Sequence, residues 1–587
     1  MKKTIWILAA SSLLFAYGCH KTTSGGGVQS AQQEADKDAA RAVQEADSHV
    51  ARSVAEWHKT EINSLLTFIP SDAPVVFIST REYDMNAAEM KSLLAHTLKL
   101  YDLLLLGFIE GASAKDKEIG QHLGLYIDKE IRPSFEDYKN TAPLWGMDPL
   151  GRTDSVMYLT GDYVVLKQSV NDSAIFAKKV ESLLINIEEY FGAQAGQVLP
   201  IEALAVLGEA WISYGLSGVE HTVYMHYGKS IVTLVIPHSR KMNLDALHAT
   251  LVPAPVPVDK SVFGALGIRP ASLGFVDTKR LVDMTLKRQG ILGKDLSKMF
   301  LSDAPVSAVC EKEIGILANI FPRTFIQIAT DGQSVTLDFT AVPSSKEVLS
   351  TLQGLTSTVM DFSDNKMIGS LAVSFDVSRL FNFLLDTGEH ISKKPFHCDS
   401  LNFLNKFAEL VSSVPDILAS PMLEEYAAAY AFFMNLTSFS AYVWNVEYDE
   451  DNEIKNMTMA MNLLGKDFTA TLQPLVQIAD DESLNKLTFE KGKVETIDNS
   501  KTSDDWLRII QSLVTDTGLI VTTNGEGLDI EVLGKTKPKK TNNFVSIMLD
   551  YGAFSQIRHD VPRLDMKYGA SLGVDDKGLR LRIVTEL

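Results

Sequence analysis

The sequence predicts an α+β protein: repeated modules of antiparallel sheet covered by helices, preceded by an N-terminal helical stalk. The first observation is an internal echo. Ser272 to Leu281 reads SLGFVDTKRL and Ser370 to Leu380 reads SLAVSFDVSRL; Phe544 to Phe554 (FVSIMLDYGAF) is a weaker third copy. Each is an apolar strand, then an aspartate, then an amphipathic run. Asp277, Asp376 and Asp550 are read as helix N-caps, whose carboxylates accept the unpaired amide protons of a first helical turn. The second observation is a set of alternating segments separated by polar turns, the pattern of β-hairpins. The third is a run of small apolar residues at helical spacing near the N-terminus.

In chain order, Ala35, Ala39, Val43, Ala46, Val50, Val54 and Trp57 recur at steps of three and four. They predict a helix from Ser30 to about Leu66, with a narrow alanine-rich seam suited to a stalk. Pro70-Ser71-Asp72-Ala73-Pro74 ends it, and Val75 to Ser79 reads as a buried strand. Tyr101 to Ile109 (YDLLLLGFI) and Tyr426 to Met434 (YAAAYAFFM) are apolar nearly all round. Such helices belong in a core, or line a cavity for acyl chains, with Ala427 to Ala429 leaving room. Hairpins are expected at His221–Tyr227 with Ser230–Pro237, Thr324–Thr330 with Ser334–Thr340, Tyr442–Tyr448 with Ile454–Met461, and Gly569–Val574 with Leu579–Val584.

The chain is too long for one core, and length predicts roughly three to four domains. The division drawn from these elements is a signal at 1–18 and an anchor, tether and stalk at 19–66. Three α+β modules follow at 67–260, 261–360 and 361–587, the last subdividing near 485.

The first nineteen residues carry an address. Lys2 and Lys3 precede an apolar run from Ile5 to Tyr17, too short to span a bilayer, and Ala16-Tyr17-Gly18-Cys19 closes it. Gly18 and Cys19 resemble the cleavage box of Gram-negative bacterial lipoprotein precursors, although Ala16 and Tyr17 differ from that box. The resemblance implies cleavage before Cys19, lipid attachment there, and export to the cell envelope. His20, where an aspartate would mark inner-membrane retention in enterobacterial members, implies the outer membrane, with the body facing periplasm or cell surface. His20 to Ser30 (HKTTSGGGVQS) is small and polar, suited to a flexible tether. The stretch FIPSDAPVVFIS resembles the opening of some uncharacterised bacterial envelope proteins, over a dozen residues and without functional content.

Hydrophobic content of 45% and charged content of 22% describe a globular chain, and the net charge of −19 repels phosphate backbones. No nucleic acid partner is expected. Beyond Cys19 only Cys310 and Cys398 remain. In an oxidising compartment they could pair, and buried free thiols are the other reading.

No catalytic signature stands out. His221 and His226 fall on opposite faces of one strand and cannot chelate a metal together. Asp449, Asp451 and Glu453 open like a calcium loop, but Ile454 stands where glycine is needed and Ala460 where glutamate is. Ser363-Asp364-Asn365-Lys366 overlaps two motifs of penicillin-recognising enzymes that should lie apart, and no K-T-G element follows. No cofactor, metal or catalytic residue is assigned. The expected function is a membrane-tethered, non-catalytic binding or scaffolding role with envelope protein partners. The alternatives are a carrier of lipid or another hydrophobic ligand, and a hydrolase of unknown substrate.

Overall fold

The computed structural model describes residues 65–81, 153–182, 198–206, 209–216, 222–238, 243–259, 272–300, 306–330, 334–362, 366–418, 427–448, 454–465, 488–498, 509–523, 528–557 and 566–586, with Leu125, Lys129 and Leu472 as isolated positions. Cys19, the tether, the stalk as far as residue 64 and the Tyr101–Ile109 segment lie outside the described residues. So do His221, the 363–365 turn and the 449–453 turn. The protein is a mixed helix and strand fold dominated by antiparallel sheet. It divides into two compact units: Met1–Pro305 with Arg323–Leu337, and Val306–Pro322 with Asp338–Leu587. This division does not coincide with boundaries at 260 and 360.

In the first unit the strands are β1 (Val75–Arg81), β2 (Thr153–Leu159), β3 (Tyr163–Ser169), β4 (Val198–Val206), β5 (Glu209–Leu216), β6 (Thr222–Tyr227), β7 (Ile231–Pro237), β8 (Ser272–Asp277) and β9 (Arg323–Thr330). They pair antiparallel in the order β4-β5-β6-β7-β3-β2-β1-β8-β9. Val-, Ile- and Leu-rich strands such as β3 (YVVLKQS) and β7 (IVTLVIP) are near-continuous apolar runs, the pattern of a sheet covered on both faces. On one face Val76, Tyr158, Val165 and Val235 stand side by side and are buried. On the other, Tyr214, Met225 and Val232 pack with Phe176. The short helix α1 (Leu244–Ala249) is capped by Asn243. After it the chain returns to the first described residues. Ala254 N–H donates to the Thr67 carbonyl at 2.8 Å and Val258 N–H to that of Ile69 at 2.9 Å. Helices α2 (Thr278–Leu286) and α3 (Gly290–Phe300) follow β8 and pack on each other. Gly290 joins them at φ +64, with its Cα against Gly161, a position where a Cβ would strike backbone.

The second unit begins with α4 (Ala308–Ala318) and takes up β10 (Ser334–Val342) from Asp338 onward. Then come α5 (Lys346–Leu355), β11 (Thr358–Val359), β12 (Gly369–Val373), α6 (Val377–Lys393), α7 (Asn402–Leu418), α8 (Ala427–Asn435), β13 (Leu436–Tyr448) and β14 (Ile454–Gly465). Strands β15 (Val494–Asp498), β16 (Ile509–Val514) and β17 (Gly518–Thr523) precede α9 (Ile530–Leu533) and β18 (Lys539–Lys540). Last are β19 (Asn543–Asp550), α10 (Tyr551–Ile557), β20 (Lys567–Val574) and β21 (Leu579–Glu586). The main sheet runs β15-β16-β17-β14-β13-β12-β19-β20-β21, again all antiparallel. Hairpins β6–β7, β13–β14 and β20–β21 form where the polar turns predict them. Gly388 of α6 lets α7 approach; a Cβ there would sit 3.3 Å from the Ala408 carbonyl.

Candidate functional site

The three echo aspartates each cap a helix. The Asp277 carboxylate accepts Arg280 N–H at 2.9 Å, Asp376 accepts Arg379 N–H at 3.0 Å, and Asp550 accepts Ala553 N–H at 2.9 Å. Each also meets a cation: Arg323 at 3.2 Å from Asp277, Arg379 at 3.3 Å from Asp376, Lys567 at 3.2 Å from Asp550. They are occupied with backbone and ion pairing.

Cys310 and Cys398 are disulfide-bonded, with Cα atoms 4.7 Å apart. The bridge ties α4 to the loop before α7. Glu313, one turn along α4, accepts the amide protons of His397 at 3.0 Å and Cys398 at 2.9 Å. The His397 amide foremost, then that of Cys398 and the His397 side chain, hold the Glu313 carboxyl below the ordinary range, against the opposing effect of desolvation. None of the α4 side chains is buried, so the bridge and this carboxylate clamp fix its position.

The second unit buries polar side chains within an apolar sheet face, where Tyr442, Ala460, Leu464 and Ile520 pack with Met360, Phe362 and Ile530. An antiparallel sheet with one open face ordinarily buries its apolar side. Here the alternation in β13 and β14 turns Ser438, Ser440, Thr458 and Asn462 to the covered face, joined there by Thr522 of β17. Ser440, Asn462 and Thr522 are each 1% exposed. Tyr442 donates its hydroxyl to the Met360 carbonyl at 2.5 Å, and Asn462 Nδ2 donates to that of Leu519 at 3.2 Å. Among the described residues Ser438 Oγ, Asn462 Oδ1 and Thr522 Oγ1 have no hydrogen-bond partner. Each such atom costs about 1–3 kcal/mol.

The opposite face is apolar and open. Leu371 of β12 stands opposite Ile547 of β19, and one register along Leu572 of β20 stands opposite Leu581 of β21. Their exposures are 36%, 50%, 38% and 38%. Val373, Val545, Leu549, Ala570 and Ile583 fill the positions between them, with Tyr568 and Thr585 as polar members at one margin. Helices roof both ends. Val574 and Leu579 lie with Leu349, Leu352 and Leu355 of α5 and Leu380 and Phe383 of α6. At the far end Phe432 of α8 packs with Leu463, Leu519 and Val521. Covering the four exposed side chains would yield on the order of 2–5 kcal/mol.

A second apolar surface lies on α7. Ala408 and Val411 are buried, whereas Phe403, Phe407 and Leu410 recur at i, i+4 and i+7 on the exposed side. Helix α8, expected in the core because it is apolar all round, buries Phe432 but leaves Phe433 58% exposed. Its register places one phenylalanine over the sheet and turns the next outward.

On the reverse of β21, Arg580 and Arg582 clamp Asp338 of β10, both through forked contacts of 2.6–3.3 Å. Burial alone would raise the Asp338 carboxyl, but the two guanidinium groups outweigh it and hold it low. In the first unit Lys167 is 1% exposed and no carboxylate pairs with it among the described residues. Its Nζ lies 3.1 Å from Thr233 Oγ1 and 4.3 Å from the centre of the Phe68 ring. Burial pushes this amine down to about 7. Nearby, His226 Nε2 lies 2.9 Å from a Glu209 carboxylate oxygen. No cluster of three or more His, Cys, Asp or Glu is placed to hold a metal among the described residues. Nor is any described helix long and apolar enough to cross a membrane.

No protein-family model matches the chain, and no curated protein does. Among solved structures, crystal forms III and IV of TP0453 align with 51% of this chain and with 89% and 88% of theirs, at 7% and 8% identity. Their TM-score of 0.23 carries no argument about fold or function.

Proposed function

We propose that this chain is an exported, membrane-tethered envelope protein whose role is binding rather than catalysis, with the open sheet face of the second unit as its binding surface. The observation that carries this reading is the open apolar strip on β12, β19, β20 and β21. Leu371, Ile547, Leu572 and Leu581 stay in water there, while the unpartnered buried polar atoms lie on the neighbouring strands β13, β14 and β17. That exposure is a cost that covering the apolar face would remove. The disulfide between Cys310 and Cys398 supports an oxidising compartment, and the N-terminal segment ending at Cys19 supports lipid attachment.

The repeat reading gains support from connectivity. From β1 the first sheet extends through β2, β3, β7 and β6 on one side and β8, β9 on the other. From β12 the second extends through β13, β14, β17 and β16 on one side and β19, β20 on the other. Duplication of one module accounts for this, with the N-terminal stalk outside it. Phe403, Phe407 and Leu410 on α7 favour a second reading, a scaffolding contact with an envelope protein, since an aromatic helical stripe suits a partner's groove.

The test is a photoreactive phenylalanine in place of Ile547 in the full chain, irradiated in cells. The reading expects an adduct, lipid or protein, at that position. An unmodified chain, with the same probe reactive at Phe407, would contradict it.

A further inference from the structure

We infer that the open face between the roofs of α5 and α8 holds the alkyl chain of a single-chain fatty acid, an inference that rests on the binding reading above. Size decides first. The exposed strip spans β12, β19, β20 and β21 and three registers. Strand and residue spacings make this about 14 Å by about 14 Å, roughly 200 Å². A specific protein interface needs about 800 Å² on each partner. A second copy of this chain or a folded partner would therefore bury too little here.

Chemistry decides next. Protein-binding hot spots are rich in Trp, Tyr and Arg, whereas this strip is Leu, Ile, Val and Ala with one tyrosine at its margin. All four strands are paired on both sides, so no backbone edge is free to accept an added strand. Among the described residues no lysine or arginine lies on the face to meet a phosphate; Arg580 and Arg582 point to the reverse and are engaged with Asp338. That argues against a phospholipid and for a chain whose carboxylate stays in water at the margin while its methylenes lie on Leu371, Ile547, Leu572 and Leu581. Each buried methylene contributes independently of orientation, so a strip without hydrogen-bonding groups suffices.

The experiment is photolabelling of the full-length protein with lauric acid carrying a diazirine, followed by peptide mass spectrometry. Labelling is expected on peptides of β12, β19, β20 and β21, reduced about tenfold by Ile547→Glu and by the milder Leu572→Ser, and competed by unlabelled laurate. Circular dichroism of both variants confirms that they fold. Labelling spread over the chain, or unchanged in both folded variants, overturns the inference. So does labelling by diazirine-bearing phosphatidylglycerol vesicles but not by laurate. If laurate fails while the probe at position 547 captures a protein, the fatty-acid inference falls and the binding reading stands. If both fail, both fall.

Discussion

Lys167 is the residue whose chemistry departs furthest from the ordinary. A lysine is almost never fully buried without a counter-charge, yet this one has a hydroxyl and an aromatic ring for company. Its folded-state proton affinity lies below the unfolded value. The unfolded chain therefore holds the proton through the window from about 7 to 10.5 while the native chain does not. Stability of the first unit should rise with pH across that window, and the penalty should be fully present below it. Lys167→Met keeps the stem and removes the amine; it should stabilise by about 1–4 kcal/mol at neutral pH and flatten the rise. Denaturant melts at several pH values check this, and a destabilised, still pH-sensitive variant would contradict it. Asp338 behaves oppositely. Its carboxyl is held low by two arginines, so its contribution is present above the unfolded value of 3.8 and is lost as pH falls through the folded one. Asp338→Ala should cost about 3–5 kcal/mol, because it leaves Arg580 and Arg582 unpaired.

Among the elements, α4 is held unusually. It is an apolar helix with no buried side chain, fixed by the Cys310–Cys398 bridge and the Glu313 clamp. The bridge closes a separation of 88 residues, worth about 4–5 kcal/mol in the chain-entropy model. Cys310→Ser should lower stability by up to that amount and raise amide exchange first across 308–318. Unchanged exchange there would show that α4 is held by other contacts. Much at this scale was legible. Gly228-Lys229 and Asp575 to Gly578 are turn residues with a mechanism, and the capping aspartates sit where strand periodicity gives way to helical periodicity. The choice of covered face was not legible. Period-two alternation in β13 and β14 separates two faces but does not say which is covered, since that is settled by Met360, Phe362 and Ile530 arriving from elsewhere in the chain. The Asp338–Arg580 pairing joins residues 242 apart and left no local trace.

At the scale of the whole molecule the account has two parts, an address and a surface. The address rests on the opening segment: Cys19→Ala should abolish incorporation of radioactive fatty acid, and persistent labelling would contradict lipid attachment there. The surface rests on the second unit alone. The first unit's sheet is covered on both faces around β3 and β7, whereas the second leaves aliphatic side chains in water. Scaffolding and ligand carriage diverge at this point. The aromatic stripe of α7 favours scaffolding, and the open strip adds a site of ligand size.

The most direct test is native mass spectrometry of the full protein purified from the envelope without detergent, wild type beside Ile547→Glu. The expected result is a stoichiometric non-covalent mass, beyond the covalent lipid at Cys19, on the wild type and absent from the folded variant. No non-covalent mass in either, or one that survives the substitution, would contradict it.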